Sequence, residues 1–181
     1  MLSINFNNKI TRFFLLSAGL YILWLLLYEF VIKARTHFDD KLIKLIIKTA
    51  AFFLKALGYT VYINNVDVDF QFLGIDGAHP VWVGSPCNAL TLFAFFALFV
   101  IAFPGNGKNK IWFIPLGILV IHAANILRVM ALVLINYYAP KYLEFNHTYT
   151  FTILVYSLIF AMWMWWVNFS LKKSKQHEPK A

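Results

Sequence analysis

Four apolar runs dominate the pattern of hydrophobic and polar positions along this chain. Each run comes close to the roughly 20 residues that a helix needs to cross a bilayer, although the second run is somewhat short. Tyrosine and tryptophan crowd the ends of the runs, as in the segment MWMWW, and this placement is typical of interfacial anchoring. The pattern predicts four transmembrane helices, at residues 13–32, 88–103, 111–138 and 149–169.

Residues 33–87, between the first two runs, follow a different pattern. From Asp40 to Leu57, lysines recur on one helical stripe and apolar residues cover the rest of the surface, which predicts an amphipathic helix. Such a helix either lies in the membrane interface or packs against a protein core with its lysines in water, and the pattern fits both arrangements equally. The lysines of the stripe are Lys41, Lys44, Lys48 and Lys55.

After Gly58, apolar and polar residues alternate in TVYINNVDVDFQF, and a turn signal, GIDG, and a second short run, VWVG, follow. This order predicts a small β-hairpin, which would serve as a lid, as a docking edge or only as a connector. The whole chain is thus predicted to be one all-α integral membrane domain, residues 1–181. It has about four transmembrane helices, an interfacial amphipathic helix and a small β-hairpin-like extracytoplasmic loop.

Composition and charge exclude several classes of protein. The 181 residues are 61% hydrophobic and only 13% charged, which gives the chain more apolar surface than a soluble domain of this size buries. The net charge of +8 does not indicate nucleic-acid binding, because the basic residues cluster beside the apolar runs. Those clusters place the N-terminus in the cytoplasm. The single cysteine and the lack of metal-ligand spacing predict no disulfide, no metal and no cofactor.

Three residues that carry chemistry are predicted to gather on one side of the membrane. Cys87 opens the second span, His147 precedes the fourth, and Arg128 lies about ten residues, or roughly 15 Å, before the end of the third. An arginine inside a span costs about 3 kcal/mol even on the milder scales, so Arg128 is expected to face the bundle interior, a water-filled cavity or a partner. Other polar residues continue these faces at helical spacing: His122 and Asn125 with Arg128, Thr91 with Cys87, and Thr150 with His147.

Together, the three side chains suit acyl transfer through a thioester. Histidine accepts and returns a proton, and arginine stabilises the oxyanion that forms when a thiolate attacks an amide carbonyl. Each residue also has a plain structural interpretation, because a lone membrane cysteine is most often packing material and Arg128 could pair with Glu29. Three further histidines compete for the role of base: His37, His79 and His122.

The segments around these residues resemble a known family. SPCNAL, NILRV and FNHTYTF are similar to the three signature regions of the exosortase/archaeosortase family of membrane cysteine transpeptidases, over residues 85–169, and the compact length resembles the variant called exosortase F. The resemblance implies that Cys87 is the nucleophile, Arg128 the oxyanion-stabilising residue and His147 the proton-transfer residue. Asn88 and Ala89 stand where many members have a small residue and then glycine.

The resemblance also implies a substrate and a location. Substrates of such an enzyme are exported proteins with a C-terminal sorting signal, made of a short motif, a membrane span and a basic tail, and the cleaved acyl group passes to an acceptor amine. The enzyme would span the cytoplasmic membrane with its site on the extracytoplasmic side. Two other classes fit the sequence: a non-catalytic membrane scaffold subunit and, less well, a small transporter.

Overall fold

The computed structural model describes residues 9–65 and 70–175. Most of this chain is helical, and a small sheet lies between the first two apolar runs. The helices are α1 (Lys9–Leu27), α2 (Lys33–Arg35), α3 (Phe38–Ala56), α4 (Leu90–Ala102), α5 (Gly107–Tyr138), α6 (Leu143–Phe145) and α7 (Phe151–Lys175), and the strands are β1 (Val61–Asn65), β2 (Phe70–Ile75) and β3 (Val81–Gly84).

Three helical stretches of the described chain are long and apolar enough to cross a membrane: Thr11–Ile32, Gly107–Tyr138 and Pro140–Lys172. The remaining predicted span, the second along the chain, corresponds to α4, which is apolar but only 13 residues long, or about 20 Å. Helix α4 begins two residues later than the sequence predicted, because Ala89 has a left-handed backbone with φ of 63° and interrupts the helix. The Asn88 side chain then caps α4 by accepting the N–H of Leu90 at 2.9 Å.

Helices α4, α5 and α7 pack around an aromatic core. Phe96, Ile121 and Trp166 are not exposed at all. Helix α5 approaches α4 closely at Gly117, where a Cβ atom would lie 2.1 Å from the ring of Phe96. Because a close-packed interior leaves no room for such an atom, glycine at this position allows the two helices to meet. The position of α5 relative to α4 is therefore fixed by direct packing.

A second core joins α3 and the sheet to the C-terminal half of α5. Ile43 and Ile47 of α3 are fully buried, as is Leu73 of β2, and they share one cluster with Val129 and Val133 of α5. One face of α3 is thus packed against protein. The opposite face keeps its lysines exposed, together with three large apolar side chains: Leu45, Phe52 and Phe53.

The sheet has three antiparallel strands in the order β1-β2-β3. The predicted hairpin is wrong in this respect, since the alternating segment forms two strands rather than one, with residues 66–69 outside the described residues. The predicted GIDG turn joins β2 to β3, and Gly77 there has φ of +87°, which glycine adopts readily. Strand β3 ends at Gly84 and continues directly into a 3-10 turn, Ser85–Cys87.

Candidate active site

Cys87 lies at the junction of the two cores. It belongs to the cluster formed by α3, the sheet and α5, whereas Ala89, two residues later, belongs to the aromatic cluster of α4, α5 and α7. The thiol is 4% exposed. The sequence predicted that Cys87 opens the second span, but it ends the 3-10 turn and lies just outside the first turn of α4. Two packed layers therefore hold the backbone of Cys87.

The structure brings His147 to this thiol. The Sγ atom of Cys87 and the Nε2 atom of His147 are 3.7 Å apart, although 60 residues separate them in the chain. His147 is half-buried and lies in a π-helical turn, Asn146–Thr150, directly before α7. Such turns are rare in proteins overall, but those that occur are often found at functional sites. The distance suits proton transfer between the sulfur and the imidazole ring.

Asn125 holds the backbone of Cys87. Its Nδ2 donates a hydrogen bond of 2.7 Å to the carbonyl oxygen of Cys87, and the residue is only 1% exposed. Its Oδ1 is buried and has no hydrogen-bond partner among the described residues. The sequence placed Asn125 on a polar stripe of the third span but gave no role to it. The structure makes it the link between α5 and Cys87.

Arg128 follows Asn125 by one helical turn on the same face of α5. Its charge interacts with that of His147, and its Nε atom is buried with no hydrogen-bond partner among the described residues. The interpretation that pairs Arg128 with Glu29 finds no support, because Glu29 instead binds Lys33 at 3.0 Å. Arg128 lines an otherwise largely apolar cavity of about 450 Å³ between α5 and α7. A half-buried guanidinium whose Nε–H has no hydrogen-bond partner among the described residues is suited to receive an oxyanion.

The segment after Cys87 is held by a carboxylate that sequence reasoning missed. Asp39, in the first turn of α3, is 7% exposed and accepts hydrogen bonds from the Nδ2 of Asn88 and, at 3.2 Å, from the hydroxyl of Tyr28. The N-terminus of α3 favours the negative charge at this position. Asp39 thus ties the end of the first span to the residue that follows Cys87. The only signal for it in the sequence was an aspartate directly before Asp40, where the predicted amphipathic helix begins.

The other candidate bases lie elsewhere. His79 and His37 are exposed, and the backbone carbonyl of His79 accepts a hydrogen bond from Asn136. The ring of His122 packs edge to face against Phe93, with centroids 6.1 Å apart. Among the described residues, His147 is the histidine in hydrogen-bond contact with the thiol. No group of three or more metal-ligating side chains occurs within the described ranges.

A second cavity opens beside His147, on the side of the sheet. Its volume is about 440 Å³, and it lies between β3 and the segment that connects α5 to α7. Its lining combines apolar, aromatic and charged side chains: Pro80, Val81, Trp82, Pro140, Lys141, Leu143, Glu144 and His147. Of the Cys87–His147 pair, only His147 lines this cavity. The mixed lining is typical of a site for a polar ligand.

Comparison with known proteins places this chain in a family. A family model described as transmembrane exosortase (Exosortase_EpsH) matches residues 3–168, which is most of the chain. No curated protein and no solved structure matches the chain. The match includes Cys87, Arg128 and His147 together with the described helices from α1 onwards.

Proposed function

Since this chain belongs to the transmembrane exosortase family, we propose that it is a membrane cysteine transpeptidase that processes the C-terminal tails of exported proteins. Membership of the family supports a membrane transpeptidase in general terms. The observation that carries the specific proposal is the 3.7 Å contact between the Cys87 sulfur and the His147 ring. A packing cysteine needs no such partner, whereas a nucleophile needs a base within reach.

In the proposed reaction, His147 Nε2 takes the proton of the Cys87 thiol, and the thiolate attacks a carbonyl carbon of the tail. The C–O π electrons move to the carbonyl oxygen, and guanidinium N–H groups of Arg128 stabilise the resulting negative charge. The C–N bond then breaks, and His147 returns its proton to the leaving amine. The acyl group remains on Cys87 as a thioester until an acceptor amine attacks it, which forms a new amide and restores the thiol.

The proposed substrate is an exported protein whose C-terminus carries a short motif, a membrane span and a basic tail. A substrate anchored by its own helix presents its scissile bond at a fixed depth beside the bilayer. The layer formed by α3 and the sheet lies on the Cys87 side of the helical bundle, which fits an extracytoplasmic site in a cytoplasmic membrane. The acceptor is an amine of a second molecule.

Processing of a tail-bearing reporter tests the proposed function. We expect cells that express this chain to cleave a reporter fused to such a tail, taken from an exported protein of the same genome, and cells without it to leave the reporter intact. A covalent adduct of the chain with the reporter, released by hydroxylamine, is expected because the intermediate is a thioester. If tails taken in turn from that genome all remain intact, the result contradicts the proposal and favours a scaffold subunit.

Replacement of Arg128 is expected to slow the chemical step more than it weakens binding. Loss of one oxyanion-stabilising group typically costs about 10²- to 10³-fold in kcat, so Arg128→Ala should show this loss with a nearly unchanged KM. Arg128→Lys should recover only part of the rate, because an ammonium group lacks the planar fork of guanidinium. Initial rates of reporter cleavage by the purified chain in detergent measure both constants.

Arg12 supplies the matched control for this variant. It is exposed on α1, at the end of the bundle opposite the site, so Arg12→Ala removes the same charge without touching Cys87 or His147. We expect its rate to stay within about twofold of the unmodified chain. Equal losses in the two variants, or a rise in KM alone for Arg128→Ala, would remove the assigned role of Arg128.

A further inference from the structure

The outer face of α3 carries a row of large apolar side chains. Phe38, Leu45 and Phe52 are 48%, 52% and 67% exposed. They recur every seven residues, which is close to two helical turns, so they form one line along the helix. The opposite face of α3 is the one buried against the sheet and α5. Exposed apolar side chains grouped in this way mark a surface that meets a membrane or another protein.

A row of lysines runs beside this apolar row. Lys41, Lys48 and Lys55 follow its three members at a spacing of three residues, and all of them are exposed. Lys44 binds the carboxylate of Asp40 at 2.7 Å, whereas the lysines of the row form no ion pair among the described residues. Cations without counter-charges beside an apolar row favour a partner that is both apolar and anionic.

Both ends of α3 are held at the ends of spanning helices. At its start, Asp39 accepts the hydroxyl of Tyr28 at 3.2 Å, and Tyr28 lies near the end of the span Thr11–Ile32. Just beyond its end, the hydroxyl groups of Tyr59 and Tyr138 are hydrogen-bonded at 2.9 Å, and Tyr138 is the last residue of α5. Helix α3 therefore connects the end of one span to the end of another.

These two spans end on the same side of the membrane. Both α1 and α5 begin beside the end of α4, where the ring of Phe103 lies 5.8 Å from that of Phe13 and its carbonyl oxygen accepts Lys110 Nζ at 2.8 Å. Helices that begin together and both cross a bilayer also end together, on the opposite side. Helix α3 is thus located at one boundary of the bilayer, within reach of the lipid headgroups.

We propose that the outer face of α3 binds the anionic lipids of the leaflet on this side of the membrane. The apolar row enters the boundary between headgroups and acyl chains, and the lysine row binds the phosphate groups of the anionic lipids. The sequence left open whether this helix lies in the interface or packs on a protein core. Here it does both, with one face on each. This lipid site goes beyond the proposed function and does not depend on it.

Quenching by brominated lipids tests this surface in the whole chain. A fluorophore is attached to the single cysteine of a Leu45→Cys variant in a Cys87→Ser background, and the chain is placed in vesicles of equal parts phosphatidylglycerol and phosphatidylcholine. Bromine on the acyl chains of one lipid or the other reveals which lipid surrounds the label. We expect brominated phosphatidylglycerol to quench about fivefold more strongly, because a lysine near the surface favours an anionic lipid by roughly this factor.

Replacement of the lysine row by glutamine is the matched variant. Glutamine keeps a long side chain and a similar helix propensity but removes the charge, so the two brominated lipids should then quench the label equally. High salt should lower the preference in the unmodified row as well, because it screens the charges.

A label at Leu119 provides the control for insertion. Leu119 is 63% exposed on α5, within a span and away from the lysine row, so a Leu119→Cys label should be quenched equally by both lipids, with or without the lysines. Equal quenching of the label at residue 45 by the two lipids would contradict the proposal. So would no quenching there, which indicates a face in water or against another protein chain. A preference that persists in the glutamine variant would contradict the role of the lysines.

Discussion

Replacing Cys87 with alanine is expected to abolish tail processing, with a loss on the order of 10⁴-fold or more. The chain has one cysteine, so no second thiol can take over the attack. Cys87→Ser should also be nearly inactive, because a hydroxyl is a far weaker nucleophile than a thiol beside the same histidine. Reporter cleavage in cells and by the purified chain measures the loss, and the hydroxylamine-sensitive adduct should vanish in both variants.

A reversible chemical block provides the control without a mutation. Methyl methanethiosulfonate converts the thiol to a mixed disulfide and should stop cleavage, and a reductant should restore it. Because Cys87 is the only cysteine, the reagent acts at one known atom. Retention of full activity by the alanine variant, or by the blocked chain, would refute the nucleophile and leave the scaffold interpretation.

The alanine variant should remain folded. Cys87 is buried in the cluster of α3, the sheet and α5, and removal of its sulfur leaves only a small void, at a cost of about 1 kcal/mol. A thermal melt in detergent should therefore show a modest decrease of the midpoint. A melt that is nearly unchanged while cleavage is lost attributes the effect to chemistry.

Long apolar runs made the helices of this fold predictable. A helix that spans a bilayer needs about 20 apolar residues in a row. Such a run can be recognised from a local stretch of sequence, without knowledge of how the helices pack. The second run was the exception, since Asn88 and Ala89 belong to a cap rather than to α4. The left-handed backbone at Ala89 is the conformation that suits the glycine many members of the resembling family have at this position. Glycine adopts this conformation without strain, whereas alanine pays about 1 kcal/mol for it.

The contacts that hold the site were beyond the reach of the sequence. Asn125 bonds to the carbonyl of Cys87 across 38 residues, and Asn88 bonds to Asp39 across 49. Nothing in the spacing of these residues selects one polar partner over another, because the choice depends on how α3 and α5 pack. The count of strands failed for a related reason, since alternation predicts a strand but does not reveal where a turn divides it.

His147→Ala is expected to lower the rate of tail cleavage by about 10²- to 10⁴-fold, which is the usual worth of a positioned proton-transfer group. The residual activity comes from the thiolate fraction that forms without help. His79→Ala and His122→Ala are the matched controls, because each removes an imidazole that lies away from the sulfur, and both should stay within about twofold. Cleavage of the same reporter by the three purified variants gives the comparison.

A second readout separates proton transfer from mere packing around the thiol. If His147 accepts the thiol proton, its loss should slow alkylation of Cys87 by iodoacetamide near neutral pH, and high pH should restore the rate, because hydroxide then removes the proton. A purely structural role would change the alkylation rate equally at every pH. Loss of cleavage in His79→Ala with His147→Ala active would instead assign the base to His79. The loop before β3 would then have to move toward Cys87 when substrate binds, since His79 is exposed in the structure.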